Sequence, residues 1–588
     1  MTERAIRWRL PEIAIALLAL ASSGIGIVNR FAYDDRYAVE QNAVVHSLHA
    51  WWRGFAMSYW GPEWGNDGYR PITILAFRIE WAIGHGAPQV FHAANILLYV
   101  VASLLVLSLA RKILPLQAAW IAAAFFAVHP VHVEAVANIV GQSELLVACA
   151  FLGATLLYLQ DRMRGALRPH TAVFVAILYA IGCLAKEHAI TLPAILIAAE
   201  LTVIQDATPL RERILRLRPF YLALMAVGVA FIGVRSRVLV DHSLGGFAPF
   251  APFQTLNISA SDRILTAFGV VPEWMRLLFW PARLSSDYGP PGIEIAQGLR
   301  ITQLPGLLLL VAIVAFAIVL RRRQRVISFG ICLAALTLLP SSNFILPAGI
   351  VLAERTLFLP SVGAMLVVDA LGILIAEVVR ARVANSQMAS VALASPVAAI
   401  LVLGGVRSAS RTRVWHDNDI LLRQAVIDTP LSYHAHFMLG GWEFQARRLR
   451  VGEAELKKAL SLFPYDSRLA FGLAEQYSQV GMCGPANPLY RWARGIDTTT
   501  PHTIRYAGCL LNMGAYDSAK AEALEVIRTG GDFSMARRVL FWADSAKAAG
   551  LRVSRSPNDK QLEVSVGHGK PPESVQKAAH RTRSGPTN

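Results

Sequence analysis

The sequence predicts an all-α fold: a polytopic membrane helix bundle of about eleven spans, followed by a C-terminal solenoid of helical repeats. Three observations predict it. Of 588 residues, 54% are hydrophobic and only 16% charged, and mean hydropathy is +0.43, too apolar for a water-facing surface throughout. Apolar segments such as 10–29, 91–110 and 356–377 approach the ~20 residues that cross a bilayer core. After Arg407 the composition turns soluble and amphipathic.

The first span follows a basic tip (Arg4, Arg7, Arg9). It has no small-residue cleavage site and is expected to remain as an anchor. With the N-terminus inside, further spans begin near Phe91, Leu116, Gly141, Thr171, His188, Tyr221, Leu304, Val326, Thr356 and Val391. Arginines decide this order. Arg111-Lys112, the runs 162–168 and 211–218, Arg321-Arg322-Arg323 with Arg325, and Arg380 with Arg382 all fall between apolar segments on the cytoplasmic side, as the positive-inside rule requires. Segment 264–281, interrupted by Pro272, Glu273 and Arg276, is expected to be interfacial or re-entrant, because counting it as a crossing would put the Arg321 cluster outside. Segment 70–84, with Arg78 and Glu80, reads the same way. Residues 1–407 therefore form the membrane domain, with a large first external loop over 30–90.

Residues 408–550 form a non-cytoplasmic domain. Ala435-His436-Phe437-Met438-Leu439-Gly440, Leu469-Ala470-Phe471-Gly472-Leu473-Ala474 and Ile504-Arg505-Tyr506-Ala507-Gly508 recur at about 34 residues, the tetratricopeptide (TPR) period. A TPR-like α-solenoid would offer a concave surface to a peptide or protein; a spacer role remains open. Residues 551–588, rich in Ser, Pro, Gly, Lys and His, are expected to be a disordered basic tail.

The net charge of +16 does not indicate nucleic-acid binding, because the arginines mark cytoplasmic loops. The five cysteines have no CxxC spacing, so neither a zinc site nor a disulfide framework is expected. Cys483 and Cys509 are expected to be unpaired packing residues, although an oxidising compartment would permit a bond.

Polar residues converge on the external loops. They are Tyr33-Asp34-Asp35-Arg36 and Tyr69-Arg70-Pro71; His129-Pro130-Val131-His132-Val133-Glu134; Lys186-Glu187-His188; and Ser341-Ser342-Asn343 with Ala353-Glu354-Arg355. Ionisable groups at helix ends are costly unless they serve a hydrated cavity, so their convergence marks a candidate site. Each cluster also has a structural reading. Asp34-Asp35 is placed to cap the following helix. His129, His132 and Glu134 lack the HExxH arrangement, and no metal is expected there. Lys186-Glu187 and Glu354-Arg355 are placed to form ion pairs between helices. Trp51, Trp52, Tyr59, Trp60 and Trp64 read as an interfacial aromatic belt, with sugar stacking as the alternative.

The run Phe31-Ala32-Tyr33-Asp34-Asp35, then Tyr69-Arg70-Pro71-Ile72-Thr73, the stretch from His129 through Glu134 to Ala137, Gly141-Gln142-Ser143-Glu144-Leu145-Leu146 and Lys186-Glu187-His188 resembles the transmembrane and tetratricopeptide-repeat O-mannosyltransferase family. So do Arg276-Leu277-Leu278-Phe279-Trp280-Pro281, Leu284-Ser285-Ser286-Asp287-Tyr288, Ser342-Asn343 and the run from Ala353-Glu354-Arg355 to Gly363. The resemblance covers about residues 10 to 545; His188 and the degenerate repeats depart from the common pattern.

The resemblance implies an inverting GT-C glycosyltransferase. It would take a sugar, expected to be mannose, from a polyprenyl- or dolichyl-phosphate donor to a hydroxyl acceptor, expected to be protein Ser or Thr, on the non-cytoplasmic face. Lys186, Arg355 and Arg70 would hold the donor phosphate. Asp34 would be the base and Asp35 would orient acceptor or sugar. His129, His132, Glu134, Glu187 and Glu354 would support the cavity. Partners would be the lipid-linked sugar, a protein or peptide acceptor engaging the TPR-like domain, and membrane lipids. The low lysine content favours a bacterial inner membrane with periplasmic repeats; an endoplasmic reticulum membrane fits the same topology. The alternatives are a catalytically silent membrane-anchored scaffold, or a transporter, which should carry charges near the bilayer midplane.

Overall fold

The computed structural model describes residues 10–60, 68–239, 258–348, 350–464, 466–496, 500–529 and 533–549. Trp64 of the expected aromatic belt and the expected tail 551–588 lie outside them. The described residues contain helices and no strand. They fall into two compact units, one ending at Trp442 and one beginning at Glu443.

In the first unit the helices are α1 (Leu10–Ser23), α2 (Pro71–Gly84), α3 (Pro88–Ile113), α4 (Leu116–Ala127), α5 (Val133–Ala137), α6 (Gln142–Arg162), α7 (Pro169–Ala185), α8 (Leu192–Leu201), α9 (Leu210–Arg216), α10 (Arg218–Val238), α11 (Ala260–Phe279), α12 (Leu304–Leu320), α13 (Arg325–Leu338), α14 (Phe358–Arg382), α15 (Ser386–Val414) and α16 (Asn418–Asp428). Their ends follow local chemistry. Proline stands in the first turn of α2, α3 and α7, where its missing N–H costs nothing. Asn385 caps α15 by accepting from Gln387 N and Met388 N, and Arg111 and Lys112 close α3, where the helix dipole favours cations.

Among the described residues seven helices are long and apolar enough to cross a membrane, and α4 with 130–137, bent by 46°, makes an eighth if the pair is one span. Eleven crossings were expected. The difference lies in α7, α13 and α8, which have 17, 14 and 10 residues, short of ~20 for a straight span. Segment 264–281 is a single helix, α11, with Pro272 inside it and Asp262, Arg263, Glu273 and Arg276 along it; it is not among the crossing helices.

Burial sorts the helices into inner and outer. The window within 139–162 is 78% buried, whereas those in 301–320 and 386–414 are 17% and 6% buried. Side chains such as Leu308, Val319 and Leu403 therefore stand exposed on the outermost helices. Apolar surface left outward on this scale belongs in lipid, and the chain is an integral membrane protein. The inner helices approach closely through small residues, including Ala118, Ala119, Ala122 and Ala123 of α4. A Cβ on Gly363 of α14 would lie 2.2 Å from the carbonyl oxygen of Gly330 in α13, so the α13–α14 crossing requires glycine.

After the last span come α16 and α17 (Tyr433–Gln445), then α18 (Leu449–Leu462), α19 (Ser467–Gln479), α20 (Cys483–Ile496), α21 (Ile504–Asn512), α22 (Tyr516–Arg528) and α23 (Phe533–Ala548). The helices α17, α19 and α21 begin at residues 433, 467 and 504, 34 and 37 residues apart, which is the spacing of a two-helix repeat. In the second unit Cys483 and Cys509 form a disulfide, which corrects the expectation of unpaired thiols. Tertiary packing brings α20 against α21 and so apposes two cysteines whose 26-residue separation carries no signal of its own.

Candidate functional site

The chain leaving α1 is fastened to the end of α15 and the start of α16. Asn29 Nδ2 donates to Thr412 O at 3.2 Å, Arg30 N to His416 O at 2.8 Å, and Tyr33 N to Asn418 Oδ1 at 2.6 Å. Tyr33 takes a left-handed backbone conformation, φ 55°, uncommon for a non-glycine residue and characteristic of functional turns. Asp35 is fully buried, and its two oxygens accept from Val140 N at 2.9 Å and Ala32 N at 3.3 Å. Burial pushes its pKa up to about 8 against the pull of those hydrogen bonds. Asp35 thus ties the loop to the turn before α6.

Asp34, its neighbour, reaches a cluster of charges. Arg355 Nη1 lies 3.6 Å from Asp34 Oδ2 and 2.8 Å from Glu134 Oε1, and Arg355 N donates to Glu134 Oε2 at 2.9 Å. The Asp34 side chain is 22% exposed, so Asp34 is reachable from solvent and Asp35 is not. Burial raises the pKa of Asp34, opposed by Arg355, His434, Arg70 and Lys186 in turn. Of these, Arg355 is in direct contact with the carboxylate.

The other cations are also held by acids. Lys186 Nζ pairs with Glu144, and His188 Nε2 stands 3.5 Å from the second oxygen of the same carboxylate. Burial lowers the pKa of Lys186, Glu144 opposes this, and Arg70 and Arg355 add to the lowering. Arg70 Nε contacts Glu187 Oε2 at 3.3 Å, Tyr69 N donates to Glu187 Oε1 at 3.3 Å, and the Arg70 guanidinium lies 4.8 Å from the Tyr59 ring centroid. Burial works to raise the pKa of Glu187, but Arg70 and further partners hold it at about 2. The loop after α7 and the start of α2 are joined by this pair.

Glu354 faces a second group. Its Oε1 accepts from Ser285 N at 2.6 Å and from Tyr288 OH at 2.5 Å. Beside them Asp287 accepts from Gly289 N at 2.9 Å, from Ser432 Oγ and from the His434 ring. Burial works to raise the pKa of Asp287, and His434 with these hydrogen bonds outweighs it and holds it low. A narrow cleft runs between these groups, lined by Tyr33, Glu134, Asp287, Tyr288, Arg355 and His434 among others. Asn343, itself at φ 63°, shapes one wall by accepting from Ala348 N at 2.7 Å and donating to Ile350 O at 3.0 Å.

The histidines of the third loop are placed differently. His132 is enclosed by Phe126 and Phe358 and bonds Ser361 Oγ at 2.8 Å and Tyr99 OH at 3.1 Å. His129 bonds Leu278 O at 3.0 Å and accepts from Val131 N at 3.3 Å. Neither lines the cleft; both fasten helix ends, and no group of three or more metal-ligating side chains occurs among the described residues. Glu134, Arg355 and Asp34 are brought together, Lys186 and Arg70 lie within electrostatic reach, and Glu187 and Glu354 position backbone on either side. Sequence reasoning did not single out Glu144, Asp287 or His434 as site residues. Glu144 and Asp287 stood in runs already noted, whereas His434 sits in the first helix pair after the membrane domain and carries no motif.

No family model matches the chain. It is 29% identical over 359 residues to the protein O-mannosyl-transferase TMTC3 of Mus musculus, covering 57% of this chain and 39% of that protein. It is 36% identical over 270 residues to Tmtc2 of Drosophila melanogaster (44% and 28% covered), and 27% identical over 483 residues to TMTC4 of Homo sapiens (73% and 62%), both also named protein O-mannosyl-transferases. The chain therefore spans less than two thirds of these relatives' lengths. An oligosaccharyltransferase of Archaeoglobus fulgidus superposes with TM-score 0.37 at 13% identity, covering 68% of this chain and 55% of that one; an overlap of that size carries no argument. By these matches the chain is a sequence relative of the protein O-mannosyl-transferases named TMTC1 to TMTC4.

Proposed function

We propose that the chain is a membrane glycosyltransferase of GT-C type that moves mannose from a polyprenyl-phosphate donor to a hydroxyl of a protein or peptide, with inversion. The single observation that carries this reading is the position of Asp34, reachable from solvent and 3.6 Å from the Arg355 guanidinium that Glu134 holds. A solvent-reachable carboxylate whose pKa is raised by burial is a stronger base than a surface aspartate. Cations around it suit the charge that develops on a departing phosphate.

In this mechanism the acceptor hydroxyl oxygen attacks the anomeric carbon, and its proton passes to Asp34 Oδ2. The bond from that carbon to the phosphate oxygen breaks on the opposite face, and the electron pair leaves with the lipid phosphate. Arg355, Lys186 and Arg70 stabilise that charge. Glu134, Glu144 and Glu187 hold the three cations in place beforehand, so donor phosphate must share them with resident carboxylates. The cleft wall of Tyr33, Asp287 and His434 is assigned to the acceptor. The Cys483–Cys509 bond supports an oxidising compartment for the repeat unit. We assign the repeats, read as a TPR-like domain, to a periplasm or an endoplasmic reticulum lumen, with residues 408–550 presenting the acceptor chain.

The test is transfer of radiolabelled mannose from polyprenyl-phosphate mannose to endogenous protein in membranes. Asp34→Asn should lower transfer by at least ~100-fold at unchanged protein level. Equal label from both would remove Asp34 from the role, and absence of label from wild type would favour another sugar or the silent scaffold.

A further inference from the structure

A second polar cavity lies at the other end of the bundle. The helix α6 begins beside the candidate site, with Glu144 in its first turn, and runs 21 residues to Arg162, about 30 Å, the thickness of a bilayer core. Just past its end, Met163 lines a cavity of about 300 Å³ with Lys112 and Ile113 from the end of α3, Val203 and Gln205 after α8, and Arg325 and Val326 at the start of α13.

The charges here are unbalanced. Several cations at this end have carboxylates: Arg111 pairs with Glu12, Arg168 with Asp161 at 2.6 Å, and Arg162 and Arg213 with Glu200 at 2.6 and 2.9 Å. Lys112 and Arg325 form no ion pair or side-chain hydrogen bond among the described residues, although both face the same cavity. Arg325 is half-buried and Lys112 exposed, and two cations at the rim of one cavity suit a bound anion. The remaining wall is apolar: Ile113, Met163, Val203 and Val326. A free inorganic anion gains nothing from such a wall, whereas the glycerol and first acyl carbons of a lipid do.

We propose that this cavity is a binding site for the phosphate headgroup of an anionic phospholipid in the leaflet opposite the candidate site, with Lys112 and Arg325 holding the phosphate. Basic cavities between helices at the bilayer boundary are suited to such headgroups. Occupancy would tie α3, α6 and α13 together at the end remote from Asp34. The inference is independent of the sugar-transfer reading.

The test uses the full chain purified in detergent and measures retention of phosphatidylglycerol against phosphatidylcholine by native mass spectrometry. Wild type should retain phosphatidylglycerol selectively. The double variant Lys112→Gln/Arg325→Gln should weaken retention by about tenfold or more. The charge-matched variant Arg321→Gln/Arg322→Gln, outside the cavity, should change it little. Gln205→Trp, which fills the cavity and keeps both charges, should also displace the lipid. Equal losses in the two double variants, or no loss in either, would overturn the proposal by reducing it to a diffuse basic belt. Inorganic phosphate at millimolar concentration stabilising wild type as well as phosphatidylglycerol does would overturn the lipid as occupant.

Discussion

Asp34 and Asp35 are adjacent in sequence and opposite in circumstance. Asp34 must be ionised to accept a proton, and burial raises its pKa. The acid limb of a transfer–pH profile should therefore have its midpoint above the usual ~4 of a carboxylate; a midpoint at ~4 would show that another group titrates. Asp35 acts on the fold. Its folded pKa, about 8, lies above the unfolded value of ~4, so its contribution to stability is full below the unfolded value and falls as pH rises toward the folded one. Asp35→Asn can accept only one of the two backbone N–H groups that Asp35 holds. It should destabilise by about 1–2 kcal/mol at low pH and flatten the decline of thermal midpoint between pH 5 and 8, measurable by unfolding in detergent. A dyad motif alone reports none of this division, because it follows from Asp35 meeting Val140 N and Asp34 meeting Arg355.

Among elements, α13 and α14 meet through Gly330 and Gly363, and a Cβ on Gly363 would fall 2.2 Å from a carbonyl. Gly363→Ala should cost about 1–3 kcal/mol through forced separation of the helices. Gly372→Ala, in the same helix with nothing within 4 Å, should be neutral or slightly stabilising; equal thermal shifts for the two would refute the packing argument. In the second unit the Cys483–Cys509 bond closes 26 residues of chain, worth roughly 3 kcal/mol by loop entropy. Reductant or Cys509→Ser should thus lower the unfolding midpoint of the repeats. The helices themselves were legible in the sequence, since apolar length, first-turn prolines and the period near 34 residues are local properties. The length of α8 and the bend at Pro130 were not, because where a short apolar segment ends depends on what packs against it.

Over the whole molecule, two functions of the charges separate by position. Arg70, Lys186 and Arg355 are each held by a carboxylate at the end that carries Asp34, whereas Lys112 and Arg325 face a cavity a helix length away. The helical membrane character of the chain, the approximate places of its spans and the loops that carry Asp34, Glu134, Lys186 and Arg355 could all be read from the residues in order. Those conclusions follow from hydropathy and motif order, which are written along the chain. Helix packing sets the rest: Arg355 bridges Glu134 and Asp34, His129 and His132 fasten helix ends, Asp287 and His434 form a wall, and Cys483 meets Cys509. Each of these depends on contacts between residues 26 to more than 300 positions apart, and such distances are set by helix packing, which no local pattern encodes.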